Sequence, residues 1–231
     1  MESARLRHGL QPYVFEGRSK VSVITDLRTG KGREKRINIY LDGRFAFSLG
    51  AEVAARENLQ IGQELPGDRL ESLTGSDQLQ RCLEAAYRYL GYRPRSESEI
   101  RERMQRRGFA AETVDAAIGR LREQALLDDG AFARFWKENR ESFSPRSRWL
   151  TGLELKRMGV VQDVIEQTVT GMDDDESAYR AALQKTRRGV PADYQSFRRR
   201  LGDYLRRRGF SYEVIGHAVE KVWQERGNSP G

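Results

Sequence analysis

Apolar residues along this chain follow two different periods. From Lys20 they alternate: Val21, Val23 and Thr25 share one face of an extended run, then Ile37, Ile39 and Leu41, then Phe45, Phe47 and Leu49. Period two with β-branched and aromatic side chains predicts strands. Asp42-Gly43 between the second and third runs predicts a tight hairpin turn, because both residue types tolerate positive φ. Residues 28–35, with Gly30 and Gly32, join the first two strands. A short helix over 51–57 and a Leu59-Gln60-Ile61-Gly62 turn complete a small α+β module. Three strands alone bury too little surface, so the module is expected to lean on the helix that follows.

Past residue 76 the period becomes helical and the pattern repeats. Met104-Gln105-Arg106-Arg107-Gly108-Phe109, Leu155-Lys156-Arg157-Met158-Gly159-Val160 and Leu205-Arg206-Arg207-Arg208-Gly209-Phe210 are variants of one another, with glycines 51 and then 50 residues apart. Beyond each glycine, apolar residues recur at offsets of six, ten and thirteen: Val114, Ile118 and Leu121; Ile165, Val169 and Met172; Ile215, Val219 and Val222. Those offsets mark one helix face, and their recurrence predicts one small helical unit used three times, each copy covering a face of its neighbour. Each glycine is read as a left-handed helix terminator. The expected fold is therefore mostly α: an elongated tandem array of three three-helix repeats at 76–126, 127–172 and 173–226, preceded by the strand module at 20–75. Residues 1–19 and 227–231 are expected to be loose tails.

Within the first repeat the expected helices cover about 77–91, 96–107 and 111–124. Pro94 stops the first of them, and Ser96 with Glu99 forms a capping box for the second. Asp128-Asp129 opens the second repeat and Asp173-Asp174-Asp175-Glu176 the third, where carboxylates satisfy free N–H groups and match the positive helix end. Ser144-Pro145 and Pro191 are expected to start the middle helices of those two repeats.

The charge balance adds a partner. Forty-one Lys and Arg against 34 Asp and Glu give the 231-residue chain a formal net charge of +7, which favours a polyanion or an acidic protein surface. Ten basic residues fall between Arg180 and Arg208, among them Arg187, Arg188, Arg198, Arg199, Arg200, Arg206, Arg207 and Arg208. The two triplets recur after eight residues and so share part of a helix face, suited to phosphates or acidic side chains. A second group, Arg93, Arg95, Arg101, Arg106 and Arg107, flanks a loop of the first repeat and is diluted by Glu97, Glu99 and Glu102. Trp149, beside Arg146 and Arg148, is the best candidate for an exposed stacking ring; Tyr87, Tyr89, Phe132, Phe135 and Trp136 read more simply as packing between repeats.

Catalysis finds little support. His8 and His217 are far apart in sequence, and no histidine pair, Cys-His metal spacing or nucleophile dyad can be assembled. No catalytic residue, metal ligand or cofactor is expected, and no small-molecule substrate. The aspartate runs are helix caps before they are metal ligands, and Gly30-Lys31-Gly32 is too short for a phosphate loop. The single Cys82 cannot form an internal disulfide, no apolar run has the ~20 residues of a membrane span, and the start lacks the apolar stretch of a signal peptide. A cytoplasmic protein without membrane contact is expected.

Taken in order, three segments carry a resemblance: Tyr89-Leu90-Gly91-Tyr92-Arg93-Pro94-Arg95-Ser96-Glu97-Ser98-Glu99-Ile100, Asp128-Asp129-Gly130-Ala131-Phe132-Ala133-Arg134-Phe135-Trp136, and Arg140 to Val160. They resemble the RecX family, bacterial regulators of the RecA recombinase. The hairpin Asn38-Ile39-Tyr40-Leu41-Asp42-Gly43-Arg44-Phe45-Ala46-Phe47 is similar to the strand module of the family's longer members. The chain departs from the family pattern at Met158 and at Ser147, where a smaller or polar residue and a glycine are common. The resemblance implies a curved, non-enzymatic array that lies in the groove of the RecA filament on DNA, limits its extension and lowers strand exchange, ATP turnover and co-protease action. Weak, non-specific DNA affinity goes with it. Two other readings use the same helices: a sequence-tolerant DNA binder of helix-turn-helix-like repeats, and a scaffold for another partner. The first is disfavoured because the third helices, 111–124, 161–170 and 212–224, are not notably basic.

Overall fold

The computed structural model describes residues 21–30, 36–187, 189 and 193–226. Both expected tails, the Lys31-Gly32 part of the first connection, Arg188 and Pro191 lie outside them. The described residues group into two compact units: the first takes the chain up to Ala85 plus Phe109–Ala117, the second takes Ala86–Gly108 and the chain from Ile118 onward.

The first unit holds an antiparallel sheet of β1 (Ser22–Thr29), β2 (Arg36–Leu41), β3 (Arg44–Gly50) and a short β4 (Glu64–Leu65), in the order β3-β2-β1-β4, with α1 (Ala51–Arg56) after β3. The hairpin turn has Asp42 at φ 50° and Gly43 at φ 80°, the doubly left-handed turn the sequence predicts. Two expectations need correction. The buried face of β1 carries Ser22 and Ile24, whereas Val21 is 50% exposed and Thr25 is exposed. The register shifts between Ile24 and Asp26, and this bulge reverses the alternation so that Leu27 packs on the same core. A second shift between Ile39 and Tyr40 buries Ala46 in place of Phe45, whose ring meets Tyr40 edge-on at 5.8 Å. The sheet also gains a fourth strand, because Leu65 is fully buried beside Ser22.

The helix expected from 77 begins ten residues earlier, as α2 (Gly67–Leu90). Leu70 and Leu73 explain the extension, since both are buried in the sheet core with Ile24, Ile39 and Leu49. Asp77, 5% exposed, ties that helix to the sheet by accepting Gly50 N–H at 2.7 Å and pairing with Arg36 at 2.8 Å. Cys82 is fully buried, and burial pushes its thiol up to about 11, so it remains a protonated packing side chain.

Three further helix groups follow: α3 (Glu97–Gln105) and α4 (Ala111–Glu123); α5 (Asp129–Phe143), α6 (Arg148–Arg157) and α7 (Gln162–Val169); α8 (Asp174–Thr186), α9 (Tyr194–Arg206) and α10 (Tyr212–Arg226). Gly108, Gly159 and Gly209 all have positive φ, as helix terminators require. The second repeat is centred on Phe132, Ala133, Leu155, Val160 and Ile165, the third on Phe197, Leu201, Leu205, Ile215 and Val219. The capping box at Ser96 is formed, Asp128 caps α5 and Asp173 caps α8. One start moves: α6 begins after Ser147, whose hydroxyl accepts Leu150 N–H, and not at Ser144-Pro145. A side-chain cap outranks a proline two residues earlier because it satisfies a free donor. The start expected at Pro191 falls outside the described residues; α9 is capped by Asp193.

Candidate partner-binding surface

In the second unit, neighbouring repeats are joined by the same small device used twice. Ser96, the cap of α3, donates its hydroxyl to Met158 O at 2.5 Å, while Glu97 N–H donates to Asp129 Oδ1 at 2.8 Å. Fifty-one residues on, Ser147 N–H donates to Arg208 O at 3.0 Å and Arg148 N–H to Asp174 Oδ1 at 2.7 Å. The N-terminus of one middle helix thus receives the glycine turn of the next middle helix and the acidic opening of the next first helix. Burial raises both Asp129 and Asp174 above the ordinary carboxylate range, against the lowering effect of those amide bonds. The contact is close: a Cβ at Gly159 would sit 2.3 Å from Ser98 Cβ, and one at Gly209 2.6 Å from Ser147 Oγ.

The basic residues divide by what the fold does with them. In the third repeat Arg198, Arg199 and Arg206 line an open cleft of about 620 Å3 between α9 and α10, together with Tyr194 and Tyr212. Arg206 is bonded to Asp203 at 3.0 Å. Arg187, Arg200 and Arg207 are exposed. Arg208 leaves the triplet and turns back on the second repeat, donating to Pro145 O at 2.8 Å and Ser144 Oγ at 3.1 Å, with Tyr204 beneath its guanidinium at 4.5 Å. Arg188 lies outside the described residues.

In the first repeat Arg93 and Arg95 share Glu99, at 2.6 and 3.3 Å. Arg101 meets Glu97 at 3.3 Å, which also holds Arg122, and Arg106 pairs with Glu102. Arg107 is exposed. In the second repeat Arg146 is drawn onto Glu154, whereas Arg148 and Trp149 are exposed, Trp149 at 66%. Phe132 is buried in the repeat core, while Tyr87 spends its hydroxyl on Gln124.

Sequence reasoning missed a continuous chain of contacts within this unit. Tyr89 lies under both Arg103 and Arg95, at 5.6 and 4.0 Å. Arg95 and Arg93 meet at Glu99, and Arg93 reaches the Trp136 ring at 5.9 Å. Arg140 covers that ring at 4.3 Å and bonds Glu154 Oε2 at 2.7 Å, which also accepts Trp136 Nε1 at 2.9 Å. Arg146 takes the other oxygen of Glu154. Past the Ser144-Pro145 loop come Arg208, Tyr204 and, 5.5 Å from that ring, Lys185. Seven cations alternate with aromatic rings and only two carboxylates across all three repeats. Arg140 gave no signal in the sequence beyond lying one turn from Trp136, and Arg103, on a different helix from Tyr89, gave none.

Among the described residues no group of three or more His, Cys, Asp or Glu could hold a metal, and no helix is long and apolar enough to cross a membrane. The architecture defines a helical-repeat protein: tandem three-helix units, jointed at serine caps and glycine turns, behind a small strand module. Comparison with known proteins identifies the kind. Family models match in order: the regulatory protein RecX N-terminal domain over residues 22–66, the RecX first three-helix domain over 82–121 and the RecX third three-helix domain over 173–219. Regulatory protein RecX of Clostridium botulinum (strain Alaska E43 / Type E3) is 28% identical over 206 residues, covering 86% of this chain and 95% of the relative. The Bacillus velezensis protein of the same name is 28% identical over 208 residues, covering 87% and 78%. A crystal structure of regulatory protein RecX matches with a TM-score of 0.60 at 24% identity, over 86% of this chain and 99% of that one. The chain belongs to the RecX family of regulatory proteins.

Proposed function

We propose that this protein regulates the RecA recombinase by binding its filament on DNA and restraining filament extension, and with it ATP hydrolysis, strand exchange and co-protease action. The observation that carries the reading is the ordered match of RecX strand-module and three-helix models along one chain, joined to relatives named regulatory proteins. The net charge of +7 and the basic surfaces of the repeats suit a filament that presents phosphate and acidic side chains. Action is by binding, in the cytoplasm, with weak sequence-tolerant DNA affinity and no cofactor.

The test measures DNA-dependent ATP hydrolysis by the matching recombinase. Substoichiometric protein should lower it, because a bound regulator need touch only some protomers to stop growth. Replacing Arg198, Arg199, Arg206 and Arg207 by Glu should weaken inhibition by about tenfold or more, since two or more charge contacts become repulsions. The fold should survive, as these side chains are exposed while Leu201 and Leu205 on the same helix are buried. If the unmutated protein leaves hydrolysis unchanged at equimolar amounts, the recombinase reading fails.

A further inference from the structure

Glu154 already accepts from three donors. Its Oε2 accepts Arg140 Nε at 2.7 Å and Trp136 Nε1 at 2.9 Å, and its Oε1 accepts Arg146. Arg208, whose main-chain carbonyl sits on Ser147 N–H, brings a third guanidinium to the same loop and finds only neutral oxygens there, Pro145 O and Ser144 Oγ. Two guanidiniums therefore share one carboxylate, and a third beside them has none. They are also partly desolvated: the side chains of Arg140, Arg146 and Glu154 are 17%, 31% and 12% exposed. Burial lowers the proton affinity of Arg140, and burial together with the charges of Arg140 and Arg208 lowers that of Arg146. Such an excess of half-buried positive charge is relieved by an anion, and a guanidinium fork matches the oxygens of a phosphate.

We propose that Arg140, Arg146 and Arg208 form an oxyanion site, built jointly by the second and third repeats, that holds a backbone phosphate of a nucleic acid strand. The inference rests on the DNA affinity proposed above and assigns it a place different from the exposed α9 arginines. A nucleic acid is favoured over an acidic peptide because the excess charge is serial. Arg93 and Arg95 precede the triad with only Glu99 between them, and Lys185 follows it beyond Tyr204. A row of cations divided among aromatic rings suits an anion with regularly repeated charges and flat bases. The guanidiniums are already oriented by Glu154, Trp136 and Tyr204, so little side-chain freedom remains to be lost on binding.

The experiment compares the full chain with Arg146→Gln and Arg207→Gln for binding of a labelled oligothymidylate at several salt concentrations. Arg146→Gln leaves Glu154 paired with Arg140 and Trp136, so the fold is expected to hold. Its affinity should drop about tenfold, with a salt dependence shallower by about one phosphate contact. Arg207→Gln should change affinity less than Arg146→Gln. Inorganic phosphate should raise the melting temperature of the wild type above that in chloride of equal ionic strength, and should not do so for Arg146→Gln. Should the Gln variant misfold, Arg146→Lys keeps the charge and loses the fork; weaker binding at an unchanged salt slope is expected, and wild-type affinity overturns the site. Equal affinity and slope for Arg146→Gln also overturns it, as does displacement of the oligonucleotide by polyglutamate as readily as by polyphosphate. Loss of recombinase inhibition is read separately: a wild type that binds through this site but leaves ATP hydrolysis unchanged refutes the recombinase reading and not the site.

Discussion

Gly108, Gly159 and Gly209 occupy one sequence position in three copies, and the fold gives them unequal weight. All three require positive φ, which costs a residue with a Cβ about 1–2 kcal/mol. At Gly108 nothing lies within 4 Å of an added Cβ, whereas at Gly159 it would meet Ser98 Cβ at 2.3 Å and at Gly209 Leu150 Cβ at 2.7 Å. Neither obstacle is the free end of a long side chain, so the helix start itself must shift. We expect Gly108→Ala to lose only the backbone term of about 1–2 kcal/mol. Gly159→Ala and Gly209→Ala should each lose at least about 1–3 kcal/mol more, the range for overpacking a close contact. Urea unfolding of the three variants checks this; equal losses would mean the turns do not bear on their neighbours.

Among elements, the joint between α3, α5 and the α6 turn offers a test with a defined sign. Asp129 accepts Glu97 N–H, and burial raises its folded-state proton affinity above the ordinary range. For a carboxyl group raised on folding, the native state takes up a proton before the unfolded state does, so this group adds stability as pH falls through its folded value and subtracts it at neutral pH. Asp129→Asn keeps an oxygen acceptor for Glu97 N–H without burying a charge. At pH 7 it should match or exceed the wild type in stability, and the difference should shrink as pH falls toward the unfolded carboxylate value near ~3.9. Asp129→Ala leaves the amide unpaired and should lose about 1–3 kcal/mol at both ends. Thermal melts of the two variants across that pH range decide between a buried hydrogen bond and a needed negative charge. At the next joint Ser147 stands where Ser96 stands in the first: a glycine there would keep the N–H to Arg208 O and give up the cap on Leu150.

For the molecule as a whole, the net charge of +7 and the dominance of arginine predict DNA binding by phosphate contact and not by base readout. Of the third helices, α7 carries no Lys or Arg, and α4 and α10 carry two each, Arg120 and Arg122, Lys221 and Arg226, too few to supply paired donors to base edges. Affinity for two unrelated duplexes should agree within about threefold, and it should drop by one or more orders of magnitude between ~50 and ~200 mM salt. Titration of both duplexes and a single strand over that range tests it. A strong preference for one duplex would promote the helix-turn-helix alternative.

The linear pattern determined the repeat itself. Glycine at matched positions, the apolar offsets beyond it, and Ser96, Asp128 and Asp173 as caps are local demands: each asks for a φ value, a face or an acceptor that the residue supplies wherever the chain goes. The Asp42-Gly43 hairpin is of the same kind. Where long-range packing decided, the pattern failed. The buried face of β1 starts at Ser22 and Ile24 and not at Val21 and Val23, a bulge at Thr25 then turns Leu27 inward, Leu65 pairs across to Ser22, and α2 reaches back to Gly67 because Leu70 and Leu73 have a sheet to cover. The arginines divide for the same reason. A guanidinium sits on a long, flexible stem and goes to the carboxylate, carbonyl or ring within its reach. Those neighbours for Arg146 and Arg208 come from helices and a loop distant in sequence, Glu154, Ser144 and Pro145 among them. Charge and count are therefore properties of the sequence, while the division of the cations into exposed, paired and shared groups exists only once the repeats have packed.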